Sequence, residues 1–304
     1  MIAGLVLLGG GVAAGAFGSL LGLGGGILIV PLLTLGFGVP LREAVAASLV
    51  SVIVTSSASA AVYLQRHVAN LRLGMTLELF SAAGALVGGL IAFMINEQVL
   101  AGLFAVLLVW VAVSMARRKD PPRAPVDADA AEVAAPDAAE VPAPDAGMGD
   151  PADPALVLDV APAAATGTEL SFTASLSGPG YEVHRLPAGM LGSVFAGVNS
   201  ALLGVGGGII KVPVMHLVMG VPLRTSTATS NMMMGITATA SAVIYLLRDE
   251  IDPFIAGPIA LGVFVGASVG SRVSHRIDIR ILRWLFVVVL VYTAIQMATR
   301  ALTL

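Results

Sequence analysis

Long apolar stretches separated by short polar ones run along most of the chain. In the first third of the sequence, the apolar stretches cover about residues 2–21, 26–38, 42–64, 72–95 and 98–116. Several approach or exceed the roughly 20 residues with which a helix crosses a hydrocarbon core about 30 Å thick. We therefore predict membrane helices. The N-terminal stretch counts as the first of them, because no basic residues precede it as they would in a cleaved signal peptide.

A run of glycines, GLGGG, separates the first two apolar stretches, and the second stretch is short. Such a break exposes backbone N–H and C=O groups that lipid cannot satisfy, so it persists only inside protein or along a wet cavity. The pattern predicts a broken or re-entrant helix. Whether the first two segments cross the membrane fully or dip into it as a hairpin stays open.

The same pattern occurs twice in the chain. GLGGGILIVP begins at Gly22 and GVGGGIIKVP begins at Gly204, an offset of 182 residues. The same offset pairs the two copies of GVPLR, which begin at Gly38 and Gly220. Because the register holds without a gap for about 100 residues, it indicates an internal duplication.

The duplication predicts the domain organisation. Residues 1–116 form membrane repeat 1, residues 187–304 form membrane repeat 2, and residues 117–186 link them. With five segments in each repeat, we predict an all-α polytopic membrane protein of about ten segments, with broken or re-entrant helices at the glycine motifs. Glycines spaced four apart predict close helix packing; they are Gly84, Gly88, Gly266 and Gly270.

The linker differs in composition from both repeats. It is rich in Asp, Pro and Ala and carries 12 acidic and 5 basic residues. Such a segment cannot bury enough apolar surface to offset the entropy lost on ordering, which predicts disorder. Its last part, ELSFTASLSGPGYEVHRLP, has two alternating runs around Ser-Gly-Pro-Gly and predicts a small hairpin.

Charges in the loops predict the orientation of the repeats. In repeat 1 the loop after the third stretch carries Arg66, His67 and Arg72, whereas the next loop, INEQV, has no base. In repeat 2 the third stretch is followed by the acidic LRDEID, and the next loop carries four arginines: Arg272, Arg276, Arg280 and Arg283. Since Lys and Arg favour the cytoplasmic side, the repeats are inverted. We predict a cytoplasmic linker and external termini in the cytoplasmic membrane.

Composition agrees with a membrane protein and excludes several kinds of site. The chain is 57% hydrophobic and 12% charged, with a mean hydropathy of +0.93. It has no cysteine, which excludes disulfides and thiolate metal sites. The glycine runs lack the GxxxxGK[ST] of a P-loop and the βαβ context of a dinucleotide site. We therefore expect no cofactor, no metal, no nucleic acid and no enzymatic activity.

The duplicated glycine motif and the paired GVPLR resemble those of the sulfite exporter TauE/SafE family of membrane permeases. The resemblance covers both repeats and ends at the acidic linker. It implies a secondary transporter of small anions, often sulfite or organosulfonates. The anion, the direction of transport, the coupling ion and the oligomeric state, including a homodimer, stay open.

The polar and glycine positions at the two breaks are candidates for binding the anion. A half-helix that starts at each break would present free N–H groups and a positive dipole end to an anion. The candidate substrate-binding residues are Gly24, Gly25, Gly26, Ser48, Asn199, Gly206, Gly207, Gly208, Lys211, Ser230 and Asn231. The alternative for the glycines and hydroxyls is helix packing and interhelical hydrogen bonding.

Lys211 is the strongest candidate, because repeat 1 has Ile29 at the equivalent position. A lysine at membrane depth is costly and suggests function, although a lysine near a helix end can also extend to the interface. Asn199 and Asn231 are likewise confined to repeat 2, where repeat 1 has Phe17 and Leu49.

Four charged or titratable residues are candidates for supporting roles. Arg42 and Arg224 follow the VPL of each repeat and would steer or gate an anion, or anchor the interface. Glu78 and His216 are candidates for proton coupling. The alternatives are a solvated interfacial Glu78 and a hydrogen-bonded helix residue at His216.

Two other functions compete with a transporter that works by alternating access. An anion channel would use the same architecture, and a membrane scaffold would use the linker to bind partners. The absence of an ATPase motif indicates that an ion gradient or the gradient of the anion itself drives transport.

Overall fold

The computed structural model describes residues 2–21, 26–65, 69–117, 176–178, 181–273 and 279–303. Gly24 and Gly25 lie outside these residues. So does almost all of the linker, which means that its predicted disorder stays a prediction. Among the side chains within the described helices, those of Arg224 and Gly270 are also outside the description.

Five helices of repeat 1 follow the five predicted apolar stretches. They are α1 (Ile2–Leu21), α2 (Gly26–Pro31), α3 (Leu41–Gln65), α4 (Leu71–Met94) and α5 (Glu97–Arg117). Helix α2 continues after Pro31 as a π-helical turn, Leu32–Gly36. Proline has no backbone N–H to donate, so the regular α-helical hydrogen bonding changes at this residue.

Repeat 2 has the same order of helices. They are α6 (Leu186–Leu203), α7 (Gly208–Pro213), α8 (Leu223–Leu247), α9 (Pro253–Val273) and α10 (Ile279–Thr303). Helix α7 continues after Pro213 as a second π-helical turn, Val214–Val218. Both short helices thus change at the proline of the duplicated motif.

Length and composition confirm an all-α polytopic membrane protein. In the described part of the chain, five helices are long and apolar enough to cross a membrane, over Leu71–Met94, Glu97–Arg117, Leu186–Leu203, Thr225–Leu247 and Trp284–Leu302. Shorter apolar helices include both short segments that follow the glycine breaks. The predicted hairpin lies largely outside the described residues. Within 176–178 and 181–185 there is no strand, and a single antiparallel bridge joins Gly178 and Tyr181.

The contacts between the repeats occur as equivalent pairs of helices. Helix α1 packs along α9 and α4 packs along α6; under the offset of 182 residues, these are the same pair with the repeats exchanged. Likewise α3 packs against α8, its own equivalent, and α5 against α10. Such an exchange is what an approximate twofold axis requires, and it places the helices of repeat 1 directly against those of repeat 2.

Glycines allow the backbones of these paired helices to approach closely. A Cβ on Gly84 would meet the carbonyl oxygen of Val194, and one on Gly266 would meet that of Val12, the equivalent residue. A Cβ on Gly88 would lie 2.6 Å from the Val198 carbonyl oxygen. The prediction of close packing is therefore confirmed for Gly84, Gly88 and Gly266.

A separate apolar cluster, here called the apolar cap, lies where α4 begins. It combines side chains of α4, of the π-helical turn after α7, of the loop between that turn and α8, and of α8 with three from the last part of the linker and the start of α6. Its members are Leu73, Leu77, Leu176, Val183, Leu186, Met215, Met219, Val221 and Met233. The end of the linker is thus packed into the membrane domain.

Candidate functional site

The break between α6 and α7 is built from glycines in the left-handed region. Gly204, Gly206 and Gly207 have φ values of 69°, 80° and 71°. Residues other than glycine rarely adopt such φ values, so the turn of the backbone at this point requires glycine. A Cβ on Gly207 would also lie 2.9 Å from the Ala196 carbonyl oxygen. The glycine motif therefore ends one membrane helix and begins the next inside the protein.

Ser48 of α3 joins the two glycine breaks. Its hydroxyl donates to the Gly204 carbonyl oxygen at 2.7 Å and lies 3.1 Å from the Gly26 carbonyl oxygen. Gly26 begins α2 and Gly204 follows α6, so one side chain contacts the breaks of both repeats. The breaks thus meet where the repeats contact each other, as in transporters with discontinuous helices.

Two buried hydroxyls beside the second break lack a partner among the described residues. They are Ser230, the equivalent of Ser48, and Ser200, near the end of α6; neither has any exposed surface. A Cβ on Gly208 would lie 3.5 Å from the Ser230 hydroxyl. Most buried polar groups are hydrogen-bonded, so two buried hydroxyls without a described partner are unusual. Both are available to donate to a ligand.

Lys211 lies on α7, three residues after Gly208, and points into the protein. Its side chain is 1% exposed, so it does not extend to the membrane interface. Its Nζ donates to Oε2 of Glu78, on α4, at 3.0 Å and to the hydroxyl of Thr237, on α8, at 2.6 Å. Glu78 is 5% exposed, which corrects the alternative of a solvated carboxylate.

The hydroxyls of Thr237 and Ser81 complete a polar network around this ion pair. Thr237 donates to Oε1 of Glu78 at 2.6 Å, so it accepts from Lys211. The Ser81 hydroxyl lies 3.0 Å from that of Thr237, and since Thr237 donates to Glu78, Ser81 is the donor. We call Lys211, Glu78, Thr237 and Ser81 the polar cluster. It joins three helices, and its two charges sum to zero.

The twofold-related positions, in the opposite repeat in each case, are almost entirely apolar. Ile29, Ala260 and Val263 stand where the polar cluster has Lys211, Glu78 and Ser81. All three are buried. The fourth position is Thr55, which donates within its own helix to the Ser51 carbonyl oxygen at 3.1 Å. The backbone fold thus has approximate twofold symmetry, whereas the side chains at this site do not.

Sequence reasoning missed Thr237 and Ser81. Ser81 carries the same signal that marked Lys211, since it is polar where the other repeat has a valine. Thr237 has a threonine as its equivalent and gives no such signal.

The apolar cap covers one side of the polar cluster. Leu73, Met215 and Met233 lie five, four and four residues from Glu78, Lys211 and Thr237, about one helical turn away on each helix. All three are fully or almost fully buried. The ion pair is therefore separated from that end of the molecule by a layer of apolar side chains.

The structure places the two asparagines beside the break and outside the polar cluster. Asn199 lies on α6, next to Ser200, and Asn231 lies on α8, next to Ser230; both are half-buried. The Asn231 carbonyl oxygen accepts from the hydroxyl of Ser56 at 2.5 Å. They stay candidates for binding.

Arg42 and His216 lie apart from the polar cluster. Arg42 donates through Nη2 to the Ile95 carbonyl oxygen at 2.9 Å, and its guanidinium carbon lies 5.4 Å from the centre of the Phe93 ring. His216 is exposed, and its Nδ1 lies 2.9 Å from the Val221 carbonyl oxygen. The described contacts favour a hydrogen-bonded helix histidine over a proton carrier.

A group of charges surrounds Arg42 at this end of the molecule. The guanidinium carbon of Arg248 lies 5.2 Å from the centre of the Phe93 ring that Arg42 also contacts. Burial raises the pKa of the Glu250 carboxyl above its usual 4.5; Arg42 opposes this shift, and Glu43 and Glu97 add to it. Arg42 is thus part of a charged network at the start of α3 and the ends of α4 and α8.

Comparison with known proteins identifies the family. The family model for the sulfite exporter TauE/SafE matches residues 7–297. The probable membrane transporter protein YunE of Bacillus subtilis is 22% identical over 294 residues, 94% of each chain. The probable membrane transporter proteins MamO of Paramagnetospirillum magneticum and Magnetospirillum gryphiswaldense are each 26% identical, and the chain spans 44% of their length. No solved structure matches significantly. The chain therefore belongs to the sulfite exporter TauE/SafE family, and it is a multi-pass membrane transporter.

Proposed function

We propose that this chain is a secondary transporter that moves a small anion, sulfite or an organosulfonate, across the cytoplasmic membrane by alternating access. One observation carries the proposal: a fully buried lysine lies on the broken helix α7, where repeat 2 contacts α4 of repeat 1. A cation at this depth is costly unless it serves an ion pathway or a binding site. The family description supplies the class of anion.

The groups beside the break suit the oxygen atoms of a sulfite or sulfonate. The Lys211 ammonium has three N–H donors, of which two reach partners within the described residues. Ser230 and Ser200 offer hydroxyls without described partners. Neutral donors hold an anion without an excess of positive charge, which favours both binding and release. These residues form the binding site that we propose.

The arrangement of the repeats supports alternating access. The glycine breaks meet at Ser48, and the polar cluster takes Glu78 and Ser81 from repeat 1 and Lys211 and Thr237 from repeat 2. Rocking of one repeat against the other would therefore open and close the site directly. No described feature favours a channel or a scaffold over this mechanism.

The contacts at the two ends of the molecule support the inverted arrangement of the repeats, on which the proposed orientation depends. The ends that we assign to the external face meet through Arg42, Phe93 and Arg248. The loops that we assign to the cytoplasmic face meet where Asn70 donates to the Leu176 carbonyl oxygen and the Tyr181 hydroxyl, each at 2.8 Å. Single cysteines at Ala138 and Leu304 test the assignment, since the chain has none of its own. The first should be labelled from the cytoplasm and the second from outside.

Uptake into proteoliposomes tests the function. The panel is sulfite, thiosulfate, sulfoacetate, taurine, sulfate and acetate, and the variant is Lys211→Ala. Lys119→Ala removes the other lysine of the chain and serves as the matched control. We expect saturable uptake of at least one sulfur anion, which Lys211→Ala abolishes and Lys119→Ala retains. Absence of uptake for all six compounds, or normal uptake in Lys211→Ala, contradicts the proposal.

A further inference from the structure

We propose that Glu78 and Lys211 form a proton–anion cotransport site, in which Glu78 takes up one proton whenever Lys211 binds one monovalent anion. The transporter would then move an anion together with a proton and carry no net charge. This inference rests on the proposed function, because it assumes that Lys211 binds the anion. It adds the coupling ion and the stoichiometry.

The first argument is the balance of charge in a buried site. Lys211 and Glu78 are 1% and 5% exposed, and their charges cancel. An anion that bound to Lys211 while Glu78 stayed ionised would leave a net negative charge in apolar surroundings, which is strongly unfavourable. A proton on Glu78 restores neutrality, since the site then holds one ammonium, one anion and one neutral carboxyl group.

The second argument is competition for the same donors. The Lys211 ammonium donates to Glu78 Oε2 and to the Thr237 hydroxyl in this conformation. Protonation of Glu78 removes the charge that holds Lys211 in place, so the ammonium can turn one or more N–H groups to an anion. Thr237 suits this change, because a hydroxyl that donates to the carboxylate can equally accept from a protonated carboxyl group.

The coupled binding of the proton and the anion can be written as a balanced step. A proton from the aqueous phase forms an O–H bond with one carboxyl oxygen of Glu78. The hydrogen bond from Lys211 Nζ to Glu78 Oε2 breaks, and a hydrogen bond from Nζ to the anion forms. Release of the anion on the other side reverses both changes. The proton leaves Glu78, and the ion pair re-forms.

The surroundings of Glu78 leave Lys211 as its charged partner. Helix α6, which packs along α4, contains no titratable side chain. On α8, Tyr245 donates to the Ala201 carbonyl oxygen at 2.9 Å, and the side chain of Arg224 lies outside the description. On the π-helical turn after α7, His216 is exposed. Arg72, at the start of α4, is also exposed.

The charged network of Arg42, Arg248 and Glu250 lies at the opposite end of α4, beside Phe93. Among the described residues, the remaining titratable side chains near the start of α4 belong to the segment before α6. They are Tyr181, which accepts from Asn70, and the exposed Glu182, His184 and Arg185. The apolar cap lies between this segment and the polar cluster. Among the described residues, Lys211 is thus the charged group that acts on Glu78.

Asymmetry of the repeats sets the number of protons. At the twofold-related positions Ile29 of repeat 1 replaces Lys211 and Ala260 of repeat 2 replaces Glu78, and neither of them titrates. The twofold-related site can therefore carry no second proton of this kind. One buried ion pair gives one proton for each transport cycle.

Proton uptake on binding tests the inference with methanesulfonate and sulfite as probes. Sulfonates stay ionised where carboxyl groups titrate, so protons taken up with methanesulfonate belong to the protein. We expect the purified wild-type protein to take up about one proton per bound methanesulfonate, as neutrality of the site requires. With sulfite, which itself titrates, the quantity of interest is the difference between wild type and Glu78→Gln.

Transport gives the second readout in the same variants. In proteoliposomes, potassium and valinomycin set the membrane potential independently of the proton gradient. An inward proton gradient should drive accumulation of the anion in wild type, and a membrane potential alone should not. Glu78→Gln should lose proton-driven accumulation and proton uptake on binding. Glu182→Gln makes the same chemical change at an exposed carboxylate and should behave like wild type.

The outcomes separate the two proposals. If no panel anion is transported, the proposed function fails. If anions are transported but wild type binds them without proton uptake, or Glu78→Gln keeps proton-driven accumulation, only the proposal of a cotransport site fails. Should Glu78→Gln not fold, Thr237→Val decides. Loss of a donor to the ionised carboxylate should move the pH profile of uptake to more alkaline pH, and Thr237→Ser should restore it. An unchanged profile in Thr237→Val overturns the inference.

Discussion

Lys211 Nζ lies 3.0 Å from Glu78 Oε2, and the two residues belong to different repeats of a duplicated chain. A buried ion pair contributes little net stability, because desolvation of both charges offsets their attraction. Since the proposed alternating access would move the interface at which this pair lies, we infer a functional role for the pair rather than a stabilising one. The stability of single and double variants can distinguish the two roles.

Removal of one partner should destabilise the protein more than removal of both. Lys211→Met leaves Glu78 as a buried carboxylate without a counter-charge, which should lower the free energy of unfolding by about 3–5 kcal/mol. Lys211→Met combined with Glu78→Gln should recover most of this loss. Thermal unfolding in detergent followed by tryptophan fluorescence measures the effect. The loss in Lys211→Met should shrink at acid pH, where a protonated Glu78 carries no charge.

Ile29→Met is the matched control, since it changes the equivalent buried position of repeat 1 without changing charge. Its cost should stay below about 1.5 kcal/mol. A double variant that loses as much stability as the two single variants together would mean that Lys211 and Glu78 do not interact in the folded protein.

The positions of the helices could be predicted from the sequence because each apolar stretch fills one membrane crossing or one short segment. The predicted stretch 72–95, for example, corresponds to Leu71–Met94 in the structure. The duplicated glycine motif also located the break, where three left-handed glycines require that residue type. Both features are local, so a pattern within one segment is sufficient to predict them.

The partner of Lys211 could not be predicted in the same way. Glu78 lies 133 residues away in the chain, and the pairing depends on which helix faces which. Hydrophobicity does not encode that choice, because these helices are largely apolar both where they face lipid and where they face each other. The signal that was available is asymmetry between the repeats: Glu78 against Ala260 and Ser81 against Val263. Such positions meet at one site only if the repeats pack against each other as they do here.

Close packing of α1 and α9 should make Gly262 intolerant of a side chain. A Cβ at this position would meet the Leu8 carbonyl oxygen and would lie 3.0 Å from the Val12 nitrogen and 3.1 Å from the Gly11 Cα. These are backbone atoms that cannot turn away. Gly262→Ala should therefore cost about 1–3 kcal/mol, as overpacking generally does.

Gly257 provides the control for this prediction, because it lies on the same helix and has no neighbour within 4 Å of an added Cβ. Gly257→Ala should leave the melting temperature unchanged or raise it, since alanine favours a helix by about 0.5–1 kcal/mol over glycine. Equal melting temperatures for Gly262→Ala and Gly257→Ala would contradict the close contact of α1 and α9.

Asn70 should hold the end of the linker against the membrane domain. Its Oδ1 caps α4 by accepting from the Leu73 N–H at 3.0 Å, while its Nδ2 donates to the Leu176 carbonyl oxygen and the Tyr181 hydroxyl. Asn70→Ala removes both functions. We expect it to cost about 1–2 kcal/mol and to increase labelling of a cysteine placed at Val183, which is buried in the apolar cap.

Asn70→Asp separates the two functions of the side chain. Aspartate keeps the oxygen that caps α4, so helix stability should be retained, but it has no N–H to donate to the linker. Labelling at position 183 should therefore increase as in Asn70→Ala, with a smaller loss of stability. Unchanged labelling in both variants would show that Asn70 does not hold this segment.

Glu250 should make the protein less stable as pH rises. Burial raises the pKa of this carboxyl in the folded protein, so the folded state holds its proton more tightly than the unfolded state does. The stabilising contribution is fully present below the unfolded pKa and is lost as pH rises through the higher folded value. Glu250→Gln carries no titratable group at this position and lacks the loss. Its melting temperature relative to wild type should therefore increase from pH 4.5 upward.

Arg42 opposes this shift in the pKa of Glu250, and its removal should enlarge the effect. Without the guanidinium, the ionised carboxylate loses a favourable neighbour while Glu43 and Glu97 still repel it. The difference in melting temperature between Arg42→Gln and the double variant Arg42→Gln with Glu250→Gln should thus depend on pH more strongly than the difference between wild type and Glu250→Gln. The measurement is a series of thermal unfolding curves for the four proteins in the same detergent. Parallel pH dependences for the two pairs would mean that Arg42 does not act on Glu250, and the charged network at this end of the molecule would have to be held by other contacts.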